Sequence, residues 1–330
     1  MDDCRQGRTG LHLTCELGDK GKEESMEAIL AKPRGFCAGV KRAITIVRQA
    51  LDKYGAPVYV LHEIVHNSHV IRELAGKGAV FVEKLEAIPA GSVVIFSAHG
   101  VALATEERAG QLGLRTIDAT CPLVSKVHRR VMRLNRLGYD VLVLGHKGHP
   151  EVVGTCGHAT GAVHVVSSPE EVAQLQVADP RRVGYVTQTT LSIDDTRELL
   201  AAIRKRFPDI SEPERTDICY ATTNRQNAVR ELSSRIDLLL VVGSKNSSNS
   251  NRLREVAAHR GVAARLIDQA EEIDPAWLNG VERIGVTAGA SAPEVLVAQV
   301  IDWLRAHGAT SVREMAGADE NVVFAVGEDD

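Results

Sequence analysis

Short apolar runs rich in Val and Ile alternate along this chain with longer stretches whose apolar residues recur at helical spacing. The runs at 57–61 (PVYVL), 93–97 (VVIFS), 140–145 (DVLVLG), 183–187 (VGYVT), 237–243 (DLLLVVG) and 284–288 (IGVTA) predict strands. The periodic stretches at 39–53, 122–137, 192–206, 224–235, 249–260 and 293–307 predict helices. Strands and helices in alternation imply parallel sheets covered by helices, because such strands are buried on both faces. A further short strand in EAILAKPRGF runs into a turn, and one strand-like run, VVFAV (322–326), stands before an acidic end.

Three cysteines punctuate this pattern. Cys121 stands directly before Pro122, and Leu123, Val124, Val127, Val131 and Leu134 follow at helical spacing, so the thiol is expected at a helix N-terminus with Pro in the first turn. The positive end of the helix dipole and its free N–H groups favour thiolate, the form that attacks carbon or binds metal. Cys37 precedes a helical run after Gly39, and Cys219 precedes a helix that Thr222 or Thr223 can cap. One such cysteine in roughly every 90 residues suggests three similar α/β units converging on one centre. The units are placed at 27–121, 122–219 and 220–310, with a polar, flexible arm at 1–26 and a tail at 311–330. Met26 is a second candidate start of translation.

The strands run into loops of one chemical kind: SAHG (97–100), GHKGHPE (145–151), TQTT (187–190), GSKNSSNSN (243–251) and TAGAS (287–291). Ligands of open α/β sheets bind beyond the carboxyl ends of strands, where helix N-termini also point, and neutral donors beside helix ends suit a phosphate. Any one of these loops is explained by the ordinary use of Ser, Thr, Asn and Gly in turns; five together favour a site.

Composition narrows the possibilities. With 330 residues the chain is long enough for two or three domains, and 44% hydrophobic content, 25% charged residues and a formal net charge of −4 describe a globular protein without the basic excess expected of a nucleic-acid binder. Neither a signal-peptide pattern nor a membrane-spanning apolar run is present in the sequence, and a cytoplasmic location is expected. In a reducing compartment the six cysteines would remain free thiols, and Cys4, Cys15 and Cys156 lack the strand-to-helix context of the other three. GSKNSS is only a fragment of a phosphate loop and no G-x-G-x-x-G follows a strand, which disfavours nucleotide binding. HEIVH (62–66) matches the H-E-x-x-H zinc pattern, but it directly follows a strand and lacks a third ligand at the expected spacing. The three helix-end cysteines are compatible with a structural zinc, a catalytic thiol, an iron–sulfur cluster or a purely structural role. Their long, even spacing disfavours zinc, and a 4Fe-4S cluster held by three thiolates would leave one iron open as a Lewis acid.

The segments PRGFCAGVKRAI, HEIVHN, FSAHGV, DATCPLVSKVH, GHKGHPEVVGT, TQTTLS, DICYATTNRQNAV, VVGSKNSSNSNRL and GVTAGASAPE resemble, in order, the signature segments of the 4-hydroxy-3-methylbut-2-enyl diphosphate reductase family, iron–sulfur enzymes at the last step of the non-mevalonate isoprenoid pathway. The likeness runs from about residue 27 to 326. It implies three α/β units with mostly parallel sheets in a pseudo-threefold trefoil around one 4Fe-4S cluster, with Cys37, Cys121 and Cys219 as ligands and one open iron for the substrate hydroxyl. It also implies that His66, His99, His149, Ser247, Ser248, Asn249 and Ser291 surround a diphosphate. Glu151 would be the proton donor and Thr189 a partner that positions the hydroxyl. The implied reaction is reductive dehydroxylation of an allylic diphosphate with electrons from a ferredoxin or flavodoxin, without nucleic acid or membrane partners. A hydro-lyase with the same kind of cluster and a non-enzymatic cluster-based sensor are the rival readings.

Overall fold

A computed structural model describes residues 26–327. Along the chain come β1 (Met26–Leu30), α1 (Ala38–Tyr54), β2 (Val58–Leu61), α2 (Ser68–Gly76), β3 (Ala79–Val82), β4 (Val93–Phe96), α3 (Leu103–Gln111) and β5 (Arg115–Asp118). Next are α4 (Pro122–Arg136), β6 (Asp140–Leu144), α5 (Pro150–Cys156), β7 (Val163–Val166), α6 (Pro169–Gln174), β8 (Val183–Thr187) and α7 (Ile193–Arg206). The last third holds α8 (Tyr220–Leu232), β9 (Leu238–Val242), α9 (Ser248–Ala258), β10 (Ala263–Ile267), β11 (Arg283–Ala288), α10 (Glu294–Ala306) and β12 (Ala309–Glu314).

The strands form three sheets, ordered β3-β2-β4-β5, β7-β6-β8 and β10-β9-β11-β1-β12, and every pairing between named strands is parallel. Each sheet is covered on both faces, as its apolar central strands require. In β9, Leu238, Leu240 and Val242 pack toward Val297, Val300 and Leu304 of α10, while Leu239 and Val241 turn to Val229 and Leu232 of α8 and Leu253 of α9. Likewise Val141 and Val143 of β6 meet Val127, Val131 and Leu134 of α4, and Leu142 and Leu144 meet Leu199 and Ile203 of α7. In the remaining sheet, Val60 and Ile95 face Ile44 and Val47 of α1, and Val94 and Phe96 face Ala109 of α3. Three double-covered parallel sheets make the expected α/β trefoil.

Several local expectations are corrected. β1 opens the chain but pairs with β11 and β12, so residues assigned to the first unit complete the sheet of the third. Met26, counted with the arm, is buried as the first residue of β1; the rest of the arm, 1–25, lies outside the described residues. The run 322–326 is not a strand: Val323 is 86% exposed, and the edge it would need is taken by β12, whose sequence ATSVRE has no apolar run. The helix expected from 224 begins at Tyr220, because Cys219 is itself the N-cap; its Sγ accepts the N–H of Thr222 at 3.4 Å, so neither threonine caps.

Candidate active site

Loops at the carboxyl ends of strands from all three sheets meet at one pocket. His66 follows β2, His99 follows β4, and His149 and Glu151 follow β6. Thr189 follows β8, Ser247, Ser248 and Asn249 follow β9, and Ser291 follows β11; all line the same space as Cys37, Cys121 and Cys219. The twelve residues that the family resemblance assigns to the site are therefore brought together here.

The cysteines are delivered by one device used three times. Each is the N-cap of a long helix: Cys37 of α1, Cys121 of α4 and Cys219 of α8. Each backbone N–H donates to a carbonyl in a strand-end loop, from Cys37 to Ala290 at 3.1 Å, from Cys121 to Ala98 at 3.0 Å and from Cys219 to Thr189 at 3.0 Å. Gly39 leaves room for the thiols, since a Cβ there would stand 2.6 Å from Cys121 Sγ. The helix ends do not make the Cys121 and Cys219 thiols acidic. Burial pushes the Cys121 thiol up to about 12 and the Cys219 thiol up to about 11, outweighing the N–H groups of Leu123 and Val124 and of Thr222. The expectation of thiolate is thus corrected for the protein alone; a cation among the sulfurs would reverse it, because a coordinating thiol is deprotonated. Among the described residues no three His, Cys, Asp or Glu side chains close on a single metal ion. Three soft sulfur donors spread around one cavity, with a glycine making space between them, suit a cluster more than a lone ion.

Beside the thiols stand three imidazoles. His66 and His99 stack at 4.2 Å between centroids, and His149 stands edge-on at 5.7 Å and 5.9 Å from them. Burial holds His99 well below its ordinary value and lowers His149 to about 4, so both rings are neutral at pH 7. His149 Nδ1 accepts the N–H of Glu151 at 3.2 Å, which puts the ring proton on Nε2 as a donor. His66 Nδ1 lies 2.8 Å from Glu63, and its buried Nε2 has no protein partner. The third unit adds hydroxyls and an amide. Ser247 caps α9, Ser291 Oγ donates to the carbonyl of His66 at 2.9 Å, and Asn249 Oδ1 accepts from Ala290 N at 2.9 Å. No Lys or Arg lines the pocket among the described residues, so an anion would be met by neutral donors and a helix end.

Glu151 is the one carboxyl in this wall. It is 3% exposed, accepts from Thr189 N at 2.6 Å and from Thr189 Oγ1 at 3.0 Å, and burial raises it to about 7. It can therefore hold a proton near neutral pH beside a hydroxyl able to relay it.

Other contributors escaped the sequence reading. Thr222 Oγ1 lies 3.2 Å from Cys219 Sγ and accepts from Asn249 Nδ2 at 3.3 Å, tying a thiol to the hydroxyl and amide groups of the third unit. Thr190 Oγ1 donates to Ser248 Oγ at 3.1 Å. Both sit in segments already marked, TQTT and DICYATTNRQNAV, but nothing in their spacing distinguishes them from their neighbours. HEIVH is not a helix: His62 has φ 58° and pairs with Glu83, and His66 turns into the pocket, so the two rings share no helical turn.

The model of the LytB protein family matches residues 28–305. The chain belongs to the LytB protein family. Among relatives of this LytB chain, the 4-hydroxy-3-methylbut-2-enyl diphosphate reductase of Bordetella pertussis is 59% identical over 298 residues, covering 90% of this chain and 92% of the relative. The protein of the same name from Azoarcus sp. is 58% identical over 301 residues, covering 91% and 96%. Of solved structures, the E-1-hydroxy-2-methyl-but-2-enyl-4-diphosphate reductase of Plasmodium falciparum is similar with a TM-score of 0.87 and 38% identity, covering 90% of this chain and 94% of the other. A second, described as (E)-4-hydroxy-3-methyl-but-2-enyl diphosphate reductase, the terminal enzyme of the non-mevalonate pathway, has a TM-score of 0.61 and 34% identity, covering 85% and 99%. No helix among the described residues of the LytB chain is long and apolar enough to cross a membrane.

Proposed function

We propose that this LytB protein is a 4-hydroxy-3-methylbut-2-enyl diphosphate reductase: it takes two electrons and two protons, releases the allylic hydroxyl as water, and yields isopentenyl and dimethylallyl diphosphates. The observation that carries the reading is the meeting, in one pocket, of three helix-capping thiols, a wall of neutral anion donors and a buried carboxyl. The activity named for relatives such as the Bordetella protein supports it independently. Cys37, Cys121 and Cys219 would hold one 4Fe-4S cluster with an open iron, which supplies the electrons singly and a Lewis-acidic seat for the hydroxyl.

The protein's own groups do the rest. His149, through Nε2–H, and the hydroxyls and amide of Ser247, Ser248, Asn249 and Ser291 take the diphosphate, with the N-terminus of α9 adding its dipole. His66 Nε2, buried and without a protein partner, faces the same diphosphate, while Glu63 holds the ring through Nδ1. His99 stacks beneath it and keeps the ring oriented. Glu151 carries one of the two protons and passes it, directly or through Thr189 Oγ1, to the departing oxygen. Nothing in the wall resembles a flavin or nicotinamide site, so the electrons come from an external ferredoxin or flavodoxin. The reading places the enzyme in the cytoplasm, where thiols stay reduced.

Anaerobic incubation of the reconstituted protein with the hydroxy-diphosphate and a low-potential reductant tests the proposal. Formation of both diphosphate products with matching consumption of reductant is expected. Dehydration without consumption of reductant would identify a hydro-lyase, and no turnover at all would leave the sensor reading. Cys37→Ser, Cys121→Ser and Cys219→Ser should each lower bound iron and sulfide, whereas Cys156→Ser should not.

A further inference from the structure

Beyond β12, residues 315–327 form no helix or strand, yet they are fastened at successive points. Met315 is buried and its N–H donates to Leu30 O at 2.9 Å. Gly317 lies so close to the Lys32 carbonyl that a Cβ would collide with it, and Asp319 pairs with Lys32 at 2.8 Å. Glu320 then accepts from both Nη atoms of Arg225, each at 3.0 Å, and from Asn224 Nδ2 at 3.0 Å. Five residues on, Ala325 O accepts from Arg42 Nε at 3.0 Å, and Val326 packs against the core of the first unit beside α1. Residues 315–326 lie outside 28–305, the part matched by the family model, whereas their partners lie within it.

Two of these fastenings, at Glu320 and Ala325, lead to the cysteine segments through residues that do not line the pocket. Arg225 is the largest fully buried side chain in the described protein. Its Nε and Nη2 donate to Gly35 O at 3.1 Å and 2.7 Å, and its Nη1 donates to Ala221 O at 3.0 Å. Gly35 stands two residues before Cys37 and Ala221 two residues after Cys219. One guanidinium, with all five N–H groups used, therefore joins the segments that present two of the three thiols, and Glu320 is the carboxylate that fixes its plane. Arg42 makes the remaining link, since its Nη1 donates to the carbonyl of Thr120, the neighbour of Cys121, at 3.2 Å.

We propose that residues 315–326 are a strap that sets the mutual placement of the three thiols, with Glu320 a positioning residue acting through Arg225, and the Ala325 carbonyl acting through Arg42. The proposal rests on the iron–sulfur reading of the pocket and adds to it a support drawn from the far end of the chain. Glu320 also cancels the charge of a guanidinium that is otherwise sealed behind two cluster ligands. Loss of that carboxylate leaves net positive charge beside the cluster, which favours the reduced state.

The test uses the full-length protein, reconstituted anaerobically, as parent, Glu320→Gln, Glu320→Asp and Arg42→Gln. Iron and sulfide per chain, the rate of iron loss to a chelator, the cluster's midpoint potential and the melting temperature before reconstitution are measured for each. Glu320→Gln is expected to lose iron roughly 10–100-fold faster than the parent and to have a higher midpoint potential. Glu320→Asp should restore the potential, with iron loss intermediate because the shorter side chain keeps the charge and loosens the geometry. Arg42→Gln, which leaves the buried ion pair intact, should speed iron loss without raising the potential by the same route. If Glu320→Gln and Arg42→Gln both hold iron as the parent does and the midpoint potential is unmoved, the strap only stabilises the fold and the proposal is wrong, whatever happens to the melting temperature. If Glu320→Gln does not fold, Arg42→Gln decides alone, and parental iron retention there overturns the proposal. A parent that takes up no iron and sulfide would instead defeat the cluster reading itself.

Discussion

Two largely buried glutamates flank the three cysteines, and only one of them has a cation. Glu320, behind the thiols, receives two N–H bonds from Arg225 and one from Asn224. Glu151, in the pocket, has only the N–H and hydroxyl of Thr189, and burial raises it to about 7. Desolvation disfavours charge at any buried carboxyl; a guanidinium in the right plane compensates it, and two neutral donors do so only in part. The missing cation is what distinguishes Glu151: the same side chain that is an anchor in the proposed strap at 320 is a proton carrier in the function proposed for 151. The pocket keeps the same character elsewhere, with the neutral imidazoles of His99 and His149 and hydroxyls where the proposed function puts an anion, and no Lys or Arg among its described lining residues.

The comparison is broken most severely by Glu151→Gln, which keeps the shape and cannot release a proton. It should lower kcat by roughly 10²–10⁴-fold with cluster content unchanged, measured under saturating substrate and reductant. Near-parental turnover would remove Glu151 from the proton path.

A second contrast is in the pH dependence of stability. The folded-state value of Glu151, about 7, lies above its ordinary 4.5, so its contribution is fully present below about pH 4.5 and is lost as pH rises toward and past 7. Glu151→Gln should therefore unfold at higher denaturant than the parent at pH 8 and equally at pH 4. The expected difference is up to about 3 kcal/mol for the protein before reconstitution. Equal stability at both pH values would mean that the carboxyl is solvated. The same proton gives kcat a limb that falls as pH rises past about 7, which Glu151→Gln should lack.

Asn249→Ala addresses the anion face instead. Asn249 orients through Ala290 N and Thr222 Oγ1, and its loss should weaken diphosphate binding by about 1.5–3 kcal/mol, read chiefly in KM, with part in kcat where positioning suffers. An unchanged KM would take Asn249 out of the binding set.

The smallest effect sharpens the role of the neutral donors. Thr189→Val keeps the backbone N–H but removes the hydroxyl that lowers Glu151, so the falling limb of kcat should move to higher pH by about half to one unit. A limb that stays in place would show that the hydroxyl does not bond to the ionised form.

The accuracy of the sequence reading followed burial. Strands at sheet centres, such as β4, β6, β9 and β11, have apolar runs because both faces are covered, and all were predicted within a residue or two. β3, β5, β7, β10 and β12 were missed, and every one is an edge strand; β5 and β12 have the mixed sequences RTID and ATSVRE, and the apolar runs AVFV and VHVV of β3 and β7 are only four residues long. The long helices were found, and α2, α3, α5 and α6, with nine residues or fewer, were not, since so short a span shows little more than two turns of periodicity. The site residues were legible because nine signature segments are contiguous in sequence. Thr190 and Thr222 were not, because their part is set by which loop lies opposite.

By itself, then, the sequence determined what depends on neighbours along the chain: the central strands, the long helices, Pro122 placing Cys121 at a helix start, and the polar loops that follow each strand. Only the tertiary structure decided what depends on long-range contact and desolvation. β1 left its own unit to complete the sheet of the third, and the run at 322–326 fell within a strap in place of a strand. At Cys121 and Cys219, helix-end thiols expected to be acidic became weaker acids than free ones. Of two glutamates that look alike in sequence, one met an arginine 95 residues away and the other a threonine, and charge in a buried place is governed by that difference in partner.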